Sequence, residues 1–248
     1  MNSMSTTAVA KNQSIAGRFI AATVPFRLRL GLTRSQIAAS PFKLWCWKAA
    51  TRSHPLVLTT DLFPQETEIL LEAFQASRPK TYLEIGVFWG GTFKNILQCR
   101  DRLALPTKCF GLDVWDEILD ATTNTHVSGW PNRELVKRGL TKHGLGNFEL
   151  LAGLSSQVRN LIDCKIDFAF HDANHTYAAV IEDLGQLYPL MSNSATLAVH
   201  NAGTDYEPDT SYVQTDGGPH RAITDLVKQG KWELKTLAYR LAVLKRLP

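Results

Sequence analysis

The chain of 248 residues lacks any run of about 18 apolar residues, so it carries no sequence signal of a transmembrane helix. Its four cysteines show no CxxC spacing, and so few cysteines in a chain of this length do not form a disulfide scaffold. We therefore expect buried free thiols in a reducing compartment, most simply the cytoplasm. A composition of 44% hydrophobic and 20% charged residues also excludes wholly disordered, coiled-coil and collagen-like proteins.

Acidic residues are absent from residues 1–60, which hold eight of the 27 Lys and Arg residues and none of the 23 Asp and Glu residues. The remaining chain is mildly acidic. We interpret residues 1–57 as a basic extension, partly helical or flexible, and residues 58–248 as one α/β domain. The extension is suited to peripheral contact with phospholipid, nucleic acid or an acidic partner, its composition equally resembles an organelle transit peptide, and an ordinary solvated extension is the simplest alternative. Nucleic acid is disfavoured as a substrate, because the basic excess is confined to this arm.

From about residue 60, short β-prone runs alternate with helical patterns, which predicts a mostly parallel sheet with helices on both faces. The last two strands, near 232–237 and 240–244, leave no room for a helix between them and therefore predict an antiparallel hairpin. The chain also lacks a full GxGxxG motif. The hairpin and the missing motif both argue against a nicotinamide-dependent oxidoreductase. Residues 115–147 and 201–220 are irregular, and we expect them to form lids.

Glycines and acids mark the ends of the first two predicted strands. Glu84 and Gly86 end the first strand and Gly90 opens the following turn, while Asp113 ends the second strand. Glycine allows close approach of the backbone to a ligand, and the next helix offers free N–H groups. An acid after the second strand commonly accepts hydrogen bonds from a ribose diol. The pattern predicts a nucleoside-cofactor site.

Polar residues also follow two later strands that should be neighbours in the sheet. His171, Asp172 and His175 come at the end of the fourth strand, and His200 and Asn201 at the end of the fifth. Convergence of five polar groups at the tips of apolar strands predicts a working site. A zinc site for hydrolysis built from the three histidines is an alternative. It is disfavoured because adjacent strand residues such as His171 and Asp172 point to opposite faces.

Four segments carry a resemblance to a known family: YLEIGVFWGG from Tyr82, FGLD ending at Asp113, IDFAFHDANHTY from Ile166, and VHN ending at Asn201. Together they resemble class I S-adenosylmethionine-dependent methyltransferases. More narrowly, they resemble the macrolide-sugar and rhamnosyl O-methyltransferases and the related cephalosporin-cluster, methyltransferase 24-like proteins. The resemblance implies a Rossmann-like, seven-stranded, mostly parallel sheet with a C-terminal antiparallel hairpin. It also implies methylation of a hydroxylated small molecule, such as a sugar or glycosylated metabolite, by a methyltransferase domain over residues 58–248.

The resemblance also implies roles for individual residues. His175 becomes the general base, with Asp172 as its catalytic partner. The cofactor S-adenosylmethionine would be bound by Glu84, Gly86, Gly90, Asp113, Ser155 and His171. A divalent metal, Mg²⁺, would be held by Asp172, Asn201 and His200. The chain has Asn174 and Asn201 where the group often has acids, and fewer negative ligands weaken such a site.

The sequence leaves two further questions open. A catalytically inactive methyltransferase-like protein, recruited to a surface by its basic arm, would bind the cofactor without turnover. A hydroxylated small molecule is the expected partner of an active enzyme, and association into a homo-oligomer stays open.

Overall fold

The computed structural model describes residues 57–115, 131–203 and 218–248. The predicted basic extension and parts of both predicted lids, residues 116–130 and 204–217, lie outside the described residues. We number the elements along the described chain. The helices are α1 Pro64–Ser77, α2 Gly91–Arg102, α3 Arg133–Lys142, α4 Val158–Leu161, α5 Tyr177–Leu187 and α6 Gly218–Lys228. The strands are β1 Thr81–Ile85, β2 Lys108–Asp113, β3 Phe148–Ala152, β4 Ile166–His171, β5 Met191–Val199, β6 Trp232–Ala238 and β7 Leu241–Arg246.

The seven strands form one sheet in the order β3-β2-β1-β4-β5-β7-β6. Strands β1 to β5 pair in parallel, whereas β7 pairs antiparallel with both β5 and β6. The predicted Rossmann-like sheet with a closing antiparallel hairpin is therefore confirmed. The strand order reverses between β1 and β4, and in open α/β sheets a ligand crevice lies at this switch point, beyond the carboxyl ends of the strands.

Two apolar cores cover the two faces of the sheet, because alternate strand residues point to opposite sides. On one face, α1, α2 and α3 bury residues such as Phe74, Phe93 and Leu140. On the other face, α4, α5 and α6 bury residues such as Val158 and Leu184. Each fully buried side chain of this size contributes about 1.5–3 kcal/mol of transfer free energy. No helix in the described ranges is long and apolar enough to cross a membrane.

Strand β5 begins earlier than the sequence suggests, at Met191 rather than near residue 196. Its first half contains the polar run Ser192-Asn193-Ser194, which has no strand-like alternation. A hydrogen bond of 2.7 Å from the Ser192 hydroxyl to Asp167 Oδ1 holds this half beside β4. The two residues are 25 positions apart in the sequence, so a local sequence pattern does not reveal their contact.

Two helices carry a buried carboxylate on their apolar stripe. In α5, Asp183 lies beside the buried Val180 and Leu184. In α1, Glu66 is fully buried and precedes the buried Leu70 by one turn. Carboxylates are rarely buried without partners. Both groups therefore require polar partners from the sheet.

Candidate active site

Backbone contacts hold the ends of β1 and β4 together at the switch point. The Asp172 N–H donates to the Ile85 carbonyl over 2.8 Å, and Gly86 has φ +91°. A Cβ at Gly86 would lie 2.1 Å from the Asp172 carbonyl oxygen. Only glycine fits this close approach, so Gly86 fixes the position of Asp172 relative to β1.

The turn between β1 and α2 packs closely against other segments. Gly90 has φ +78°, and a Cβ there would lie 2.6 Å from Val136 Cγ1. A Cβ at Gly91 would lie 2.1 Å from the backbone of Thr59. Each of these two glycines is therefore required by packing, whatever contact the turn makes with a ligand.

Asp113 fastens this turn to the end of β2. Its Oδ2 accepts a hydrogen bond of 2.6 Å from the Phe88 N–H, and its Oδ1 accepts one of 2.7 Å from the Val114 N–H. Burial raises the pKa of Asp113, while these N–H donors oppose that rise. The Trp115 N–H lies 3.5 Å from Oδ1, so the capacity for a ligand hydroxyl lies on Oδ2, which can accept a second hydrogen bond.

Glu84 is fully buried near the end of β1. Its Oε2 accepts a hydrogen bond of 2.7 Å from the Tyr82 hydroxyl, but its Oε1 has no partner among the described residues. Burial raises the pKa of Glu84 well above the usual range. A buried carboxyl oxygen without a partner is costly, so a donor from a bound molecule would complete this group.

Ser155 follows the neighbouring strand β3 and is partly buried. The Gly153 N–H donates to the Asp113 carbonyl over 3.0 Å, which places the end of β3 beside Asp113. The structure thus brings Glu84, Gly86 and Asp113 together at the carboxyl ends of β1 and β2. Ser155 follows the carboxyl end of the adjacent strand β3.

His171 lies elsewhere than the cofactor prediction requires. Its Nε2 is 2.9 Å from Asp183 Oδ2, and the two side chains are only 1% and 3% exposed. In the strand register His171 is opposite Ile85 and Val199, which belong to the core under α5. In this structure His171 joins β4 to α5, and the three histidines do not converge as a zinc site would need.

Asp172 is the centre of a cluster formed by β4, β5 and the loop before α5. Its Oδ1 lies 2.9 Å from His200 Nδ1 and 3.2 Å from His175 Nε2. The Asn201 amide nitrogen is 3.1 Å from His175 Nε2, and Asn201 has φ +55°. The side chain of His175 is 27% exposed and that of His200 only 3%. His175 is thus the histidine of this cluster that a substrate can reach.

Glu66 and Arg240 extend the cluster into the interior. Glu66 Oε2 lies 3.4 Å from His200 Nε2. Arg240 binds the same carboxylate through its guanidinium, with contacts of 2.8 Å to each oxygen, and its backbone N–H donates to Oε1 over 3.1 Å. A bidentate arginine–carboxylate pair is both strong and directional. The β6–β7 turn therefore anchors α1 and, through Glu66, His200.

Charge pairing dominates the electrostatics of this cluster. Burial raises the pKa of Glu66, but hydrogen bonds from His200, Arg240 and the Phe63 N–H outweigh it and bring the pKa to about 2. Burial lowers the pKa of His200, yet the Asp172 charge and the hydrogen bonds to Asp172 and Glu66 raise it to about 9. Burial raises the pKa of Asp172, but the two histidines hold it well below the usual range.

Of the predicted Mg²⁺ ligands, His200 does not fit a metal in this arrangement. Both ring nitrogens of His200 face carboxylates, so His200 offers no lone pair, and this part of the prediction is wrong. Asp172 supplies the only carboxylate of the predicted set, and it already binds two imidazoles. Mg²⁺ requires several oxygen ligands. Within residues 57–115, 131–203 and 218–248, no group of three or more His, Cys, Asp or Glu is placed to hold an ion.

Sequence reasoning missed Glu66, Arg240 and Asp183. A usable signal existed for the two acids, since each occupies an apolar stripe of an amphipathic helix, where a charge needs a partner. No comparable signal exists for Arg240, because its partner Glu66 lies 174 residues away in the chain.

Residues 83–202, just under half of the chain, match the family model described as a methyltransferase domain. Residues 83–202 are therefore similar to a methyltransferase domain. The match spans β1 through the end of β5 and so includes both groups of strand-end residues. The methyltransferase class predicted from the sequence motifs is therefore confirmed. The comparison with curated proteins gives no match.

Solved structures show that this methyltransferase domain has the fold of class I S-adenosylmethionine-dependent enzymes. The SAH-bound methyltransferase PaMTH1 from Podospora anserina is 14% identical, with a TM-score of 0.60, over 98% of this chain and 99% of that chain. The O-methyltransferase from Bacillus cereus in complex with SAH is 15% identical, with a TM-score of 0.57, over 94% and 100%. The O-methyltransferase NovP is 17% identical, with a TM-score of 0.51, over 74% and 79%.

Proposed function

We propose that this protein is an S-adenosylmethionine-dependent O-methyltransferase that acts on a hydroxylated small molecule, with a sugar or glycosylated metabolite as the preferred class. The observation that carries the proposal is the pairing of the accessible His175 with Asp172 at the edge that also holds Glu84, Gly86 and Asp113. A base beside a cofactor edge is what methylation of a hydroxyl requires.

The residues at the ends of β1 and β2 fit the cofactor. Asp113 would accept a hydrogen bond from the ribose hydroxyls, since its Oδ2 retains acceptor capacity after the carboxylate has bound three N–H groups. Glu84, whose Oε1 has no partner among the described residues, would bind the methionine portion, and Ser155 would contact the adenine. Gly86 and Gly90 would shape the turn over the cofactor. S-adenosylmethionine, when bound, supplies an electrophilic methyl group.

His175 would remove the proton from the acceptor hydroxyl. If His175 donates its Nε2–H to Asp172, Nδ1 carries the lone pair that would take the proton, and the Asn201 amide nitrogen, 3.2 Å from Nδ1 in this structure, would give way to the acceptor hydroxyl. A carboxylate that fixes the tautomer of a catalytic imidazole in this way is a recurrent arrangement. Asp172 would stabilise the imidazolium once the proton has moved, so its role is electrostatic and orienting.

Asn201 would assist the same proton transfer. Its Oδ1 is buried without a partner among the described residues, while its nitrogen contacts the His175 ring. Rotation of the amide would exchange the two atoms and present an acceptor to the imidazolium. Asn201 would then orient the base.

The remaining expectations stay predictions. They are the cytoplasmic location, membrane contact through residues 1–57, association into a homo-oligomer, the domain boundary at residue 58 and a lid role for residues 115–147 and 201–220.

Calorimetric titration with S-adenosylmethionine and S-adenosylhomocysteine, with NAD as control, tests the proposal. We expect micromolar binding of both sulfur nucleosides and none of NAD. Wild-type protein is then screened with radiolabelled S-adenosylmethionine against hydroxylated acceptors. Absence of nucleoside binding would refute the cofactor assignment. Binding without turnover on any acceptor class would favour an inactive binding protein instead.

A further inference from the structure

A continuous chain of polar contacts runs from the β6–β7 turn to the proposed base. It passes through Arg240, Glu66, His200, Asp172 and His175, with each contact between 2.8 and 3.4 Å. We call these five side chains the ionic relay. Three of its members lie in the interior, since Glu66 is 0%, His200 3% and Arg240 12% exposed.

His200 occupies the middle of the ionic relay with no free coordination position. Nδ1 faces Asp172 Oδ1 at 2.9 Å, and Nε2 faces Glu66 Oε2 at 3.4 Å. Both contacts are satisfied only when both nitrogens carry hydrogen. Such a ring donates to carboxylates and offers nothing to a metal ion.

The formal charges of the ionic relay also sum to zero without a metal. Arg240 and an imidazolium at His200 balance Glu66 and Asp172, and the strongest pair is the bidentate one between Arg240 and Glu66. A buried carboxylate stripped of its partner is strongly disfavoured. Removal of His200 would leave Glu66 with Arg240, and Asp172 would lose the nearer of its two imidazole partners.

We propose that His200, held by Glu66 and Arg240, takes the place of a divalent cation beside Asp172, so that this chain transfers methyl groups without Mg²⁺. The inference rests on the proposed methyl transfer, but the ion-binding part stands on the ionic relay alone. Glu66 and Arg240 are positioning residues that act through His200.

Titration of the metal-free wild-type protein with Mn²⁺ or Mg²⁺ tests the proposal directly. We expect no saturable binding at millimolar concentrations, by calorimetry and by the electron paramagnetic resonance of free Mn²⁺, with or without S-adenosylhomocysteine. Saturable binding that disappears in Asp172→Asn would overturn the proposal. Binding that survives in Asp172→Asn is located elsewhere and leaves His200 in its assigned place.

The substitution His200→Asp provides a gain-of-binding test. It places a third carboxylate between those of Asp172 and Glu66, where an ion can bridge them. We expect Mn²⁺ affinity to rise by at least about tenfold over wild type. The matched control His143→Asp makes the same change on an exposed helix end and should bind no better than wild type. A folded His200→Asp protein without added affinity would contradict the proposal, and if it fails to fold the wild-type titration still decides.

The positioning role of Glu66 has a spectroscopic signature. The ring ¹⁵N signals of His200 should show two protonated nitrogens in wild type, and Glu66→Gln should shift the Nε2 signal while Glu68→Gln leaves it in place. Unchanged signals in a folded Glu66→Gln protein would remove Glu66 from the relay. Loss of nucleoside binding would refute methyl transfer, whereas the Mn²⁺ titrations would still decide the ion-binding part.

Discussion

The site has two halves, one at the carboxyl ends of β1 and β2 and one at the carboxyl ends of β4 and β5, and different kinds of contact hold them in place. At the ends of β1 and β2, carboxylates bind backbone N–H groups and glycines allow main chains to touch. At the ends of β4 and β5, side chains bind other side chains in an ionic relay. The first half is rigid because of backbone geometry, and the second because of charge pairing. We therefore expect substitutions in the first half to change nucleoside affinity or folding, and substitutions in the second to change turnover.

The substitution His175→Ala should give the largest difference between the effect on turnover and the effect on nucleoside affinity. We expect turnover to fall by about 10²- to 10⁴-fold, because the proposed general base is lost. S-adenosylhomocysteine affinity should remain within about twofold, since the β1–β2 half is untouched. Single-turnover methyl transfer and calorimetry measure the two effects, with His143→Ala as the exposed control. Normal turnover in the variant would remove His175 from the chemistry.

Gly86→Ala should break the junction between the halves. The new Cβ would lie 2.1 Å from the Asp172 carbonyl oxygen at a φ of +91°. The left-handed backbone costs about 1–2 kcal/mol and the overpacking about 1–3 kcal/mol. Together they should lower the free energy of unfolding by about 3 kcal/mol.

Substitutions at two other glycines distinguish the backbone strain from the overpacking. Gly144 has φ +75° in open space, so Gly144→Ala should lose only the strain. Gly185 lies in α5 with no neighbouring atoms, so Gly185→Ala should be stabilising by about 0.5–1 kcal/mol. Urea denaturation of the three variants gives the ranking, and equal losses at Gly86 and Gly144 would show that the contact with Asp172 is unimportant.

Asp113→Asn should affect the nucleoside half alone. We expect S-adenosylhomocysteine affinity to fall by about 1–3 kcal/mol, because the amide cannot serve as acceptor for all of its present partners and a ribose diol. Turnover at saturating cofactor should change little. Calorimetry provides the measurement, and unchanged affinity would exclude Asp113 from the ribose site.

The smallest expected effect is the dependence of stability on pH. The pKa of His200 is raised from 6.5 to about 9, so its contribution is complete below pH 6.5 and disappears as the pH rises through 9. The pKa of Glu66 is lowered from 4.5 to about 2, so its contribution is complete above pH 4.5 and disappears as the pH falls through 2. We expect the highest Tm between pH 4.5 and pH 6.5, where both contributions are complete, and a fall in Tm as the pH rises toward 9. In His200→Gln the fall of Tm at alkaline pH should become smaller. An unchanged fall would show that another group causes it.

Much of the fold and one part of the site were predictable because the relevant signals are local. Alternating strands and helices gave the sheet, and the short spacing of β6 and β7 gave the hairpin. Asp172 and His175 were found because both follow one apolar strand. His171 was misplaced because a strand end does not reveal which face it presents when its partner, Asp183, lies on a helix. The ionic relay depends on contacts distant in sequence, which no local pattern encodes.

The distance along the chain between Glu66 and Arg240 also sets an order of assembly. Their contact closes a loop of 174 residues, whereas His175 and Asp172 are three residues apart. Closing so long a loop costs about 4–5 kcal/mol of chain entropy, so the contact forms late. During synthesis, α1 and the parallel strands emerge before the arginine that neutralises Glu66. A nascent chain therefore carries on α1 an acid without its arginine partner, and we expect the proposed catalytic centre to become complete only when the β6–β7 hairpin docks.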